Sequence, residues 1–341
     1  MHHLGLEVIA MSEAVKDVGR SVSDANAPVF DVVVVGGGAA GLSAALVLGR
    51  ARRRVAVIDD GEPRNAPAEH MQGFLSRNGM SPSALLEVGR AEVAGYGVRF
   101  IEGRVGRIDH GYFVQLEDGR VIRARRVVVA TGLRDELPDI PGMWERWGRD
   151  LLHCPYCHGY EVRDEPLGVL GTHPNAVNHA LLLRQWSDDV VYFPHDQEPT
   201  EEEREKLAAR GVRVVEGTVA RLVVEDDRLR GVELAEGSVV ARAAVFVMPR
   251  MVPRDELLGD LGCERDANGW VVTDRSGRTS VPGVWAVGNV ADPRAQVIVA
   301  AGMGSAAAFM INLDLVEEEV DEAVEEHRAR SAPASSSLLP S

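Results

Sequence analysis

The sequence predicts an α/β protein assembled from nucleotide-binding, Rossmann-like three-layer units. Three observations lead there. Apolar, strand-like runs that end in glycine and pass into a helical pattern occur at Val29 to Val35, Pro166 to Leu170 and Val284 to Val287. The chain holds 35 glycines against 5% aromatic residues, a balance suited to tight turns and close backbone contacts. Its 341 residues give room for two domains, each with a proper core.

In chain order, residues 1–26 lack sustained periodicity and read as a flexible leader, with Met11 a possible start. The alternating stretch Val98 to Ile108 and the run Val121 to Ala130 add strands, with turn signals at Asp118-Gly119 and Ala267-Asn268-Gly269. Two nucleotide-fold-like units, 29–60 and 166–196, look like relatives of each other. Ala295 to Leu313 carries no charge over 19 residues but includes Gln296, Gly302, Gly304, Ser305 and Asn312, so a buried helix is expected rather than a membrane span. From Glu317 on, an acidic stretch runs into Ser331-Ala-Pro-Ala-Ser-Ser-Ser, and 317–341 reads as an acidic, disordered tail.

Charge and cysteine content narrow the partners. Lys plus Arg number 37 and Asp plus Glu 52, a net charge of −15 that disfavours nucleic acid and anionic membrane surfaces. Three cysteines cannot form the even framework of a secreted disulfide scaffold, and Glu7 interrupts Leu4 to Met11, so no signal peptide is read and a cytoplasmic location is expected.

The first unit carries the clearest ligand signal. Val32 to Val35 ends in Gly36-Gly-Gly38-Ala39-Ala40-Gly41, an Ala/Leu-rich helix follows, and the next strand, Val55 to Ile58, closes on Asp59. In such a unit the first glycine permits the tight turn, the second lets backbone touch a pyrophosphate, and the third lets helix pack on strand. The helix N-terminus faces the phosphates, and an acid 23 residues after Gly36 suits ribose hydroxyls. The alternative is a merely structural glycine turn.

The most chemical segment is His153-Cys154-Pro-Tyr-Cys157-His158-Gly159. Two cysteines so spaced at a helix start can close a small disulfide ring, and the helix dipole with nearby histidine favours the thiolate. Cys-x-x-Cys-His is also the c-type haem attachment pattern, which fits poorly beside a dinucleotide fold without an export signal. Zinc needs two further ligands and Cys263 stands alone, so no metal site is predicted. Two inert buried cysteines are the bland reading, and thiol–disulfide exchange is preferred.

With these motifs in place, the chain resembles the low-molecular-weight thioredoxin reductase family of FAD-dependent disulfide oxidoreductases over about residues 28–315. The resemblance rests on Gly36 to Gly41, Ala130-Thr-Gly132 with Ile140-Pro-Gly142, Cys154-Pro-Tyr-Cys157, and Pro282-Gly-Val-Trp-Ala-Val-Gly-Asn289 followed by Ala295-Gln296-Val297. It implies an FAD-binding domain in two parts, 27–144 and 251–316, a pyridine-nucleotide-type domain inserted at 145–250 with the redox cysteines, and a homodimer. It further implies that Gly36, Gly38 and Gly41, with Ala39 and Ala40, hold the pyrophosphate and that Asp59 binds the adenosine ribose. Val105 would face the adenine, Asn65 would pass the flavin, and Gln296 and Val297 would present backbone to the isoalloxazine. Asn289 replaces the family's usual aspartate at the ribityl chain, and either side chain can accept that hydrogen bond.

Two departures sharpen the reading. His158 stands where the family has an acid after the second cysteine, and an imidazole can act as base and then acid within one cycle. In the second unit, Gly171-Thr-His173-Pro-Asn-Ala176 puts a histidine where backbone must approach a pyrophosphate, and the next strand leads to Asp196, Glu198 and four further glutamates rather than a basic cluster. NADPH binding is therefore expected to be impaired. Cys154-Pro-Tyr-Cys157-His158-Gly-Tyr-Glu161 also resembles the dithiol oxidases that close disulfides in natural products of the gliotoxin, holomycin and romidepsin type. The expected function is FAD-dependent oxidation of a small-molecule dithiol, with Cys154, Cys157 and His158 catalytic and dioxygen as acceptor. Alternatives are an NADPH- or NADH-fed reductase of a thioredoxin-like protein, and a non-enzymatic flavin/disulfide redox sensor.

Overall fold

The computed structural model describes residues 27–109 and 111–331. The leader expected at 1–26 and the final part of the expected tail, 332–341, lie outside the described residues. A seven-stranded sheet runs in the order Arg99–Glu102, Val55–Asp59, Val29–Val35, Val121–Val129, Phe113–Leu116, Val105–Asp109. Val284–Ala286 pairs in parallel with the second half of Val121–Val129, so the chain leaves this sheet at Val129 and rejoins it more than 150 residues later. The central run Val32 to Val35 is buried on both faces, as the continuous β-branched apolar stretch requires of a parallel interior strand.

One face of this sheet carries the helices Ala39–Arg50 and Val297–Ser331. Their crossing is tight because Gly304 lies against the Ala40 carbonyl, where a Cβ would come within 1.9 Å. The other face is covered by the sheet's own antiparallel extension, through Ile108, Val114 and Leu116, and by the short helix Glu256–Asp260.

The inserted unit has a five-stranded parallel sheet, in the order Arg213–Val214, Val190–Phe193, Leu167–Leu170, Ala244–Val247, Leu151–Leu152. Helices Ala176–Leu183 and Glu201–Ala209 cover one side and the three-stranded sheet Val219–Glu225, Arg228–Leu234, Val239–Ala241 the other, which makes three layers. The two passages between the large sheets, Leu133–Glu136 and Arg250–Pro253, pair antiparallel as a ribbon.

Two expectations are corrected. The segment 317–331 is helix rather than disordered tail, because Val297–Ser331 continues through it. Long-range ion pairs account for the docking of its first turn: Glu318 binds Arg125 and Arg126, and Glu319 binds Arg53 and Arg125. The apolar part of the same helix is one-faced rather than buried. Ala300, Gly304, Ala307, Ala308, Ile311 and Leu315 pack inward, while Phe309 and Leu313 are exposed. By length and composition alone this helix could cross a membrane, yet the inward face is occupied by the helix Ala39–Arg50.

Candidate active site

A cavity of about 780 Å³ opens between the C-terminal ends of the first sheet's strands and the inserted unit, near the upper end of the range for small-molecule sites. Gly36, Gly38, Ala39, Ala40, Asp59, Asn65, Val105, Cys154, Cys157, His158, Asn289, Gln296 and Val297 all line it. Residues spread over 260 positions of sequence thus meet in one space.

The glycine turn is built for a close approach. Gly36 has φ +104°, and a Cβ there would fall 2.4 Å from the Ala130 carbonyl oxygen, so only glycine fits. Gly38 is extended, with φ −76°, and a Cβ built on it meets nothing within 4 Å. It faces open cavity, the cradle that a phosphate group would fill. Gly41 departs from the place at the pyrophosphate that the resemblance implies. It does not line the cavity, because its Cα is pressed on the Gly36 carbonyl at 1.9 Å from an added Cβ, and its role is helix-on-strand packing. Asp59 accepts a hydrogen bond from the Gly37 N–H at 3.0 Å and pairs with Arg90, which fixes the carboxylate at the cavity wall.

At the other group of lining residues, Asn289 donates through Nδ2 to the carbonyls of Asp292 and Ala295, both at 2.9 Å. Its Oδ1 accepts from Arg64 at 3.3 Å. Arg64 is in turn held by a two-pronged ion pair with Asp135, at 2.7 and 2.8 Å. Sequence reasoning missed both charged residues; the signal for Arg64 was its place beside Asn65 in the unusual Gly-Glu-Pro-Arg-Asn turn, whereas Asp135 offered none.

Cys154 and Cys157 form a disulfide. Cys154 caps the four-residue helix Pro155–His158, and Gln296 Nε2 lies 3.8 Å from the Cys157 sulfur, so Cys157 abuts the loop that leads into the helix Val297–Ser331. His158 lines the cavity, and burial pushes its imidazole below the ordinary value, against an opposing pull from Glu161. His153 also lines it. Its Nδ1 lies 3.3 Å from the Val247 carbonyl, and burial, followed by the charge of Arg64, lowers its pKa. Behind it His179 is buried, with its pKa pushed down to about 4 chiefly by burial. Its ring stands edgewise 6.3 Å from that of His153.

The second glycine turn differs in kind. His173 Nδ1 accepts from the Asn175 N–H at 3.1 Å, so a side chain of the protein occupies a donor that opens the helix. Asp196 N–H donates to the Gly171 carbonyl at 3.0 Å, and a Cβ on Gly171 would lie 2.3 Å from the Pro194 oxygen. Tyr192, fully buried, donates its hydroxyl to the Gln197 carbonyl at 2.7 Å, and burial raises its pKa to about 12. The loop after Phe193 therefore lies folded against the turn.

Comparison with known proteins gives the family. A family model described as pyridine nucleotide-disulphide oxidoreductase matches residues 30–304. Thioredoxin reductase sirT of Leptosphaeria maculans is 33% identical over 309 residues, covering 83% of this chain and 94% of that protein. The solved structure of HlmI is 68% identical, covers 89% of this chain and 97% of its own, and superposes with a TM-score of 0.87. A putative thioredoxin reductase, TrxB from Bacillus anthracis, is 33% identical over 85% of this chain and 99% of its own, with a TM-score of 0.81.

Proposed function

Because the chain belongs to the pyridine nucleotide-disulphide oxidoreductase family, whose thioredoxin reductase-like members are FAD-binding flavoproteins, we propose that it oxidises a small-molecule dithiol to a disulfide through Cys154–Cys157 and FAD, with dioxygen as final acceptor. The chain is an FAD-dependent thiol–disulfide oxidoreductase; the direction, the substrate class and the residue roles are our reading. The observation that carries the direction is the contrast between Gly38, where an added Cβ meets nothing within 4 Å, and His173, which stands at the corresponding place of the second turn with its Nδ1 on the Asn175 N–H.

The residues fit the cofactor: Gly36 to Ala40 offer an uncrowded cradle for the pyrophosphate, Asp59 and Val105 the adenosine wall, and Asn65, Asn289, Gln296 and Val297 the flavin end. When bound, FAD supplies a two-electron acceptor that dioxygen can regenerate, releasing peroxide. One substrate thiolate attacks the Cys154 sulfur, the Cys154–Cys157 bond breaks, and Cys157 leaves as thiolate. The second substrate thiolate then displaces Cys154, the substrate disulfide departs, and both cysteines are left reduced. His158, kept neutral by its surroundings, accepts a substrate proton and returns it to the leaving thiolate. Held by the residues above, FAD would supply the acceptor for the two electrons of the reduced pair, so that Cys154 and Cys157 return to the disulfide.

The molecule acts in the cytoplasm as a homodimer in this reading. The exposed apolar series Phe309, Leu313, Val316 and Val320, spaced at helical intervals, supports a face that a second copy covers. A second reading, a reductase acting on a thioredoxin-like protein, is favoured by the names its relatives carry.

Anaerobic mixing of the purified protein with dithiothreitol, NADPH or NADH decides. Oxidase function requires bleaching of the flavin by the dithiol and recovery with peroxide on admitting air. Saturable bleaching by NADPH with none by dithiol overturns it.

A further inference from the structure

We propose that Asp135, Arg64 and Asn289 form a positioning relay that holds the redox disulfide in register with the cofactor loop. The inference rests on the dithiol-to-FAD reading and adds, behind Asn289, two residues to which that reading gives no role, Arg64 and Asp135.

The relay joins three segments that have no sequence proximity. Asp135 sits on Leu133–Glu136, the strand by which the chain passes into the inserted unit, opposite Met251 on the returning strand. Its carboxylate is buried, 6% exposed, and holds the Arg64 guanidinium by two parallel bonds, a geometry that fixes the plane of the fork as well as its place. Arg64 comes from the turn after Asp59, itself 25% exposed. Its remaining arm reaches the Asn289 oxygen.

Asn289 is then fully specified. With Oδ1 turned to Arg64, both of its N–H groups are turned to the carbonyls of Asp292 and Ala295, which closes the loop that delivers Gln296. Gln296 touches Cys157. A line of directional contacts therefore runs from the ribbon carrying the inserted unit, through the cavity wall, to the sulfur that faces the flavin in our reading. Nearby, Pro67 of the same turn lies against Gly148 of the inserted unit, where an added Cβ would meet the Pro67 backbone at 3.0 Å. The two units are thus seated on each other along this turn, and Arg64 supplies its directional contact.

A carboxylate at 289 would lack the N–H groups for Asp292 and Ala295, which gives the amide a reason of its own in this chain. Arg64 acts through Asn289 and is a positioning residue.

The test uses the FAD-loaded protein, dithiothreitol as probe and N-ethylmaleimide labelling read at each cysteine by mass spectrometry. Arg64→Met removes the fork, Asp135→Asn releases it while keeping shape, and Arg64→Lys keeps charge without the fork. The relay predicts that Arg64→Met and Asp135→Asn reduce their disulfide with dithiothreitol at the unmodified rate but bleach the flavin about 10- to 100-fold more slowly, the consequence of an ångström-scale misplacement. Labelling of the reduced pair shifts toward Cys157 in both, and Arg64→Lys falls between them and the unmodified protein. Bleaching rates and a Cys157-to-Cys154 labelling ratio indistinguishable from the unmodified protein in Asp135→Asn overturn the relay, whether or not Arg64→Met folds. If dithiothreitol fails to bleach the unmodified protein, the function reading falls instead, and the labelling ratio still decides the relay.

Discussion

Two stretches of this chain begin alike and end differently. Val29–Val35 and Leu167–Leu170 are both buried parallel strands that turn through glycine into a helix. At the first, the position after the turn looks into a cavity of about 780 Å³. At the second, the corresponding position is His173, whose Nδ1 accepts from the Asn175 N–H, and the Gly171 carbonyl accepts from the Asp196 N–H. Local fold is therefore not a ligand site. What distinguishes the two is the residue at the third position of the turn, glycine at 38 and histidine at 173.

If the first glycine turn alone holds a nucleotide, every electron reaching it from a dithiol crosses Cys154. Cys154→Ser is expected to retain FAD and to lose dithiol turnover to the level of the uncatalysed reaction, measured by peroxide release. Turnover at the unmodified rate would move the chemistry elsewhere. Next in size, His158→Gln should slow turnover by about 10²-fold, the usual contribution of a positioned proton carrier. Burial lowers the pKa of His158, so the unmodified enzyme should keep its neutral base below pH ~6.5 and lose rate only at more acid pH, a limb absent from the variant.

The glycines of the open turn separate packing from binding. Gly41→Val drives a Cβ into the Gly36 carbonyl and should cost at least ~3 kcal/mol of stability in denaturant unfolding. Gly38→Val has an allowed backbone and free space for its Cβ, so the fold should hold within ~1 kcal/mol while the protein purifies without FAD. Stoichiometric FAD in Gly38→Val would remove the pyrophosphate from this turn.

The closed unit has its own signature in acid. The folded-state pKa of His179, about 4, lies below the ordinary 6.5, so the unfolded chain binds the proton more readily and stability falls as pH drops from ~6.5 toward 4. The loss attributable to this group is roughly 3 kcal/mol. His179→Leu should flatten unfolding free energy over that interval, and an unchanged slope would show that the ring is not buried as described.

How much of this was legible in the sequence follows the range of the contacts involved. The open turn, the acid at Asp59 and the Cys154–Cys157 pair are local patterns, and the structure brings them to one cavity. Arg64 and Asp135 lie 71 positions apart and become partners only when the ribbon forms, so no spacing announces them. The same holds for the expected tail: Glu318 and Glu319 read as solvated acid because Arg53, Arg125 and Arg126 lie some 190 or more residues upstream. Gly41 carried two readings, helix-on-strand packing from the motif and a place at the pyrophosphate from the resemblance, since a glycine required for either looks identical in sequence.

The smallest expected effect is a null, and it bears most directly on the comparison. His173→Gly opens the position where backbone would approach a pyrophosphate, yet NADPH should still reduce the flavin no faster than buffer. The Asp196 N–H remains on the Gly171 carbonyl, and Tyr192, buried beneath, still anchors Gln197. Of the cations in the helix after Phe193, Arg204 is engaged by Glu198 at 2.8 Å and Glu216 at 2.5 Å, and Lys206 pairs with Glu202. A 2′-phosphate arriving there must displace a carboxylate from that guanidinium while facing Asp196, and NADH, which lacks that phosphate, must still lift the loop. Adding Glu198→Gln releases one arm of Arg204 without moving Pro194, so the double variant should also stay at the buffer rate in anaerobic mixing. Bleaching by NADPH in His173→Gly alone would mean that a single ring closes the second unit, and that the loop 194–197 is a consequence of that ring rather than a barrier of its own.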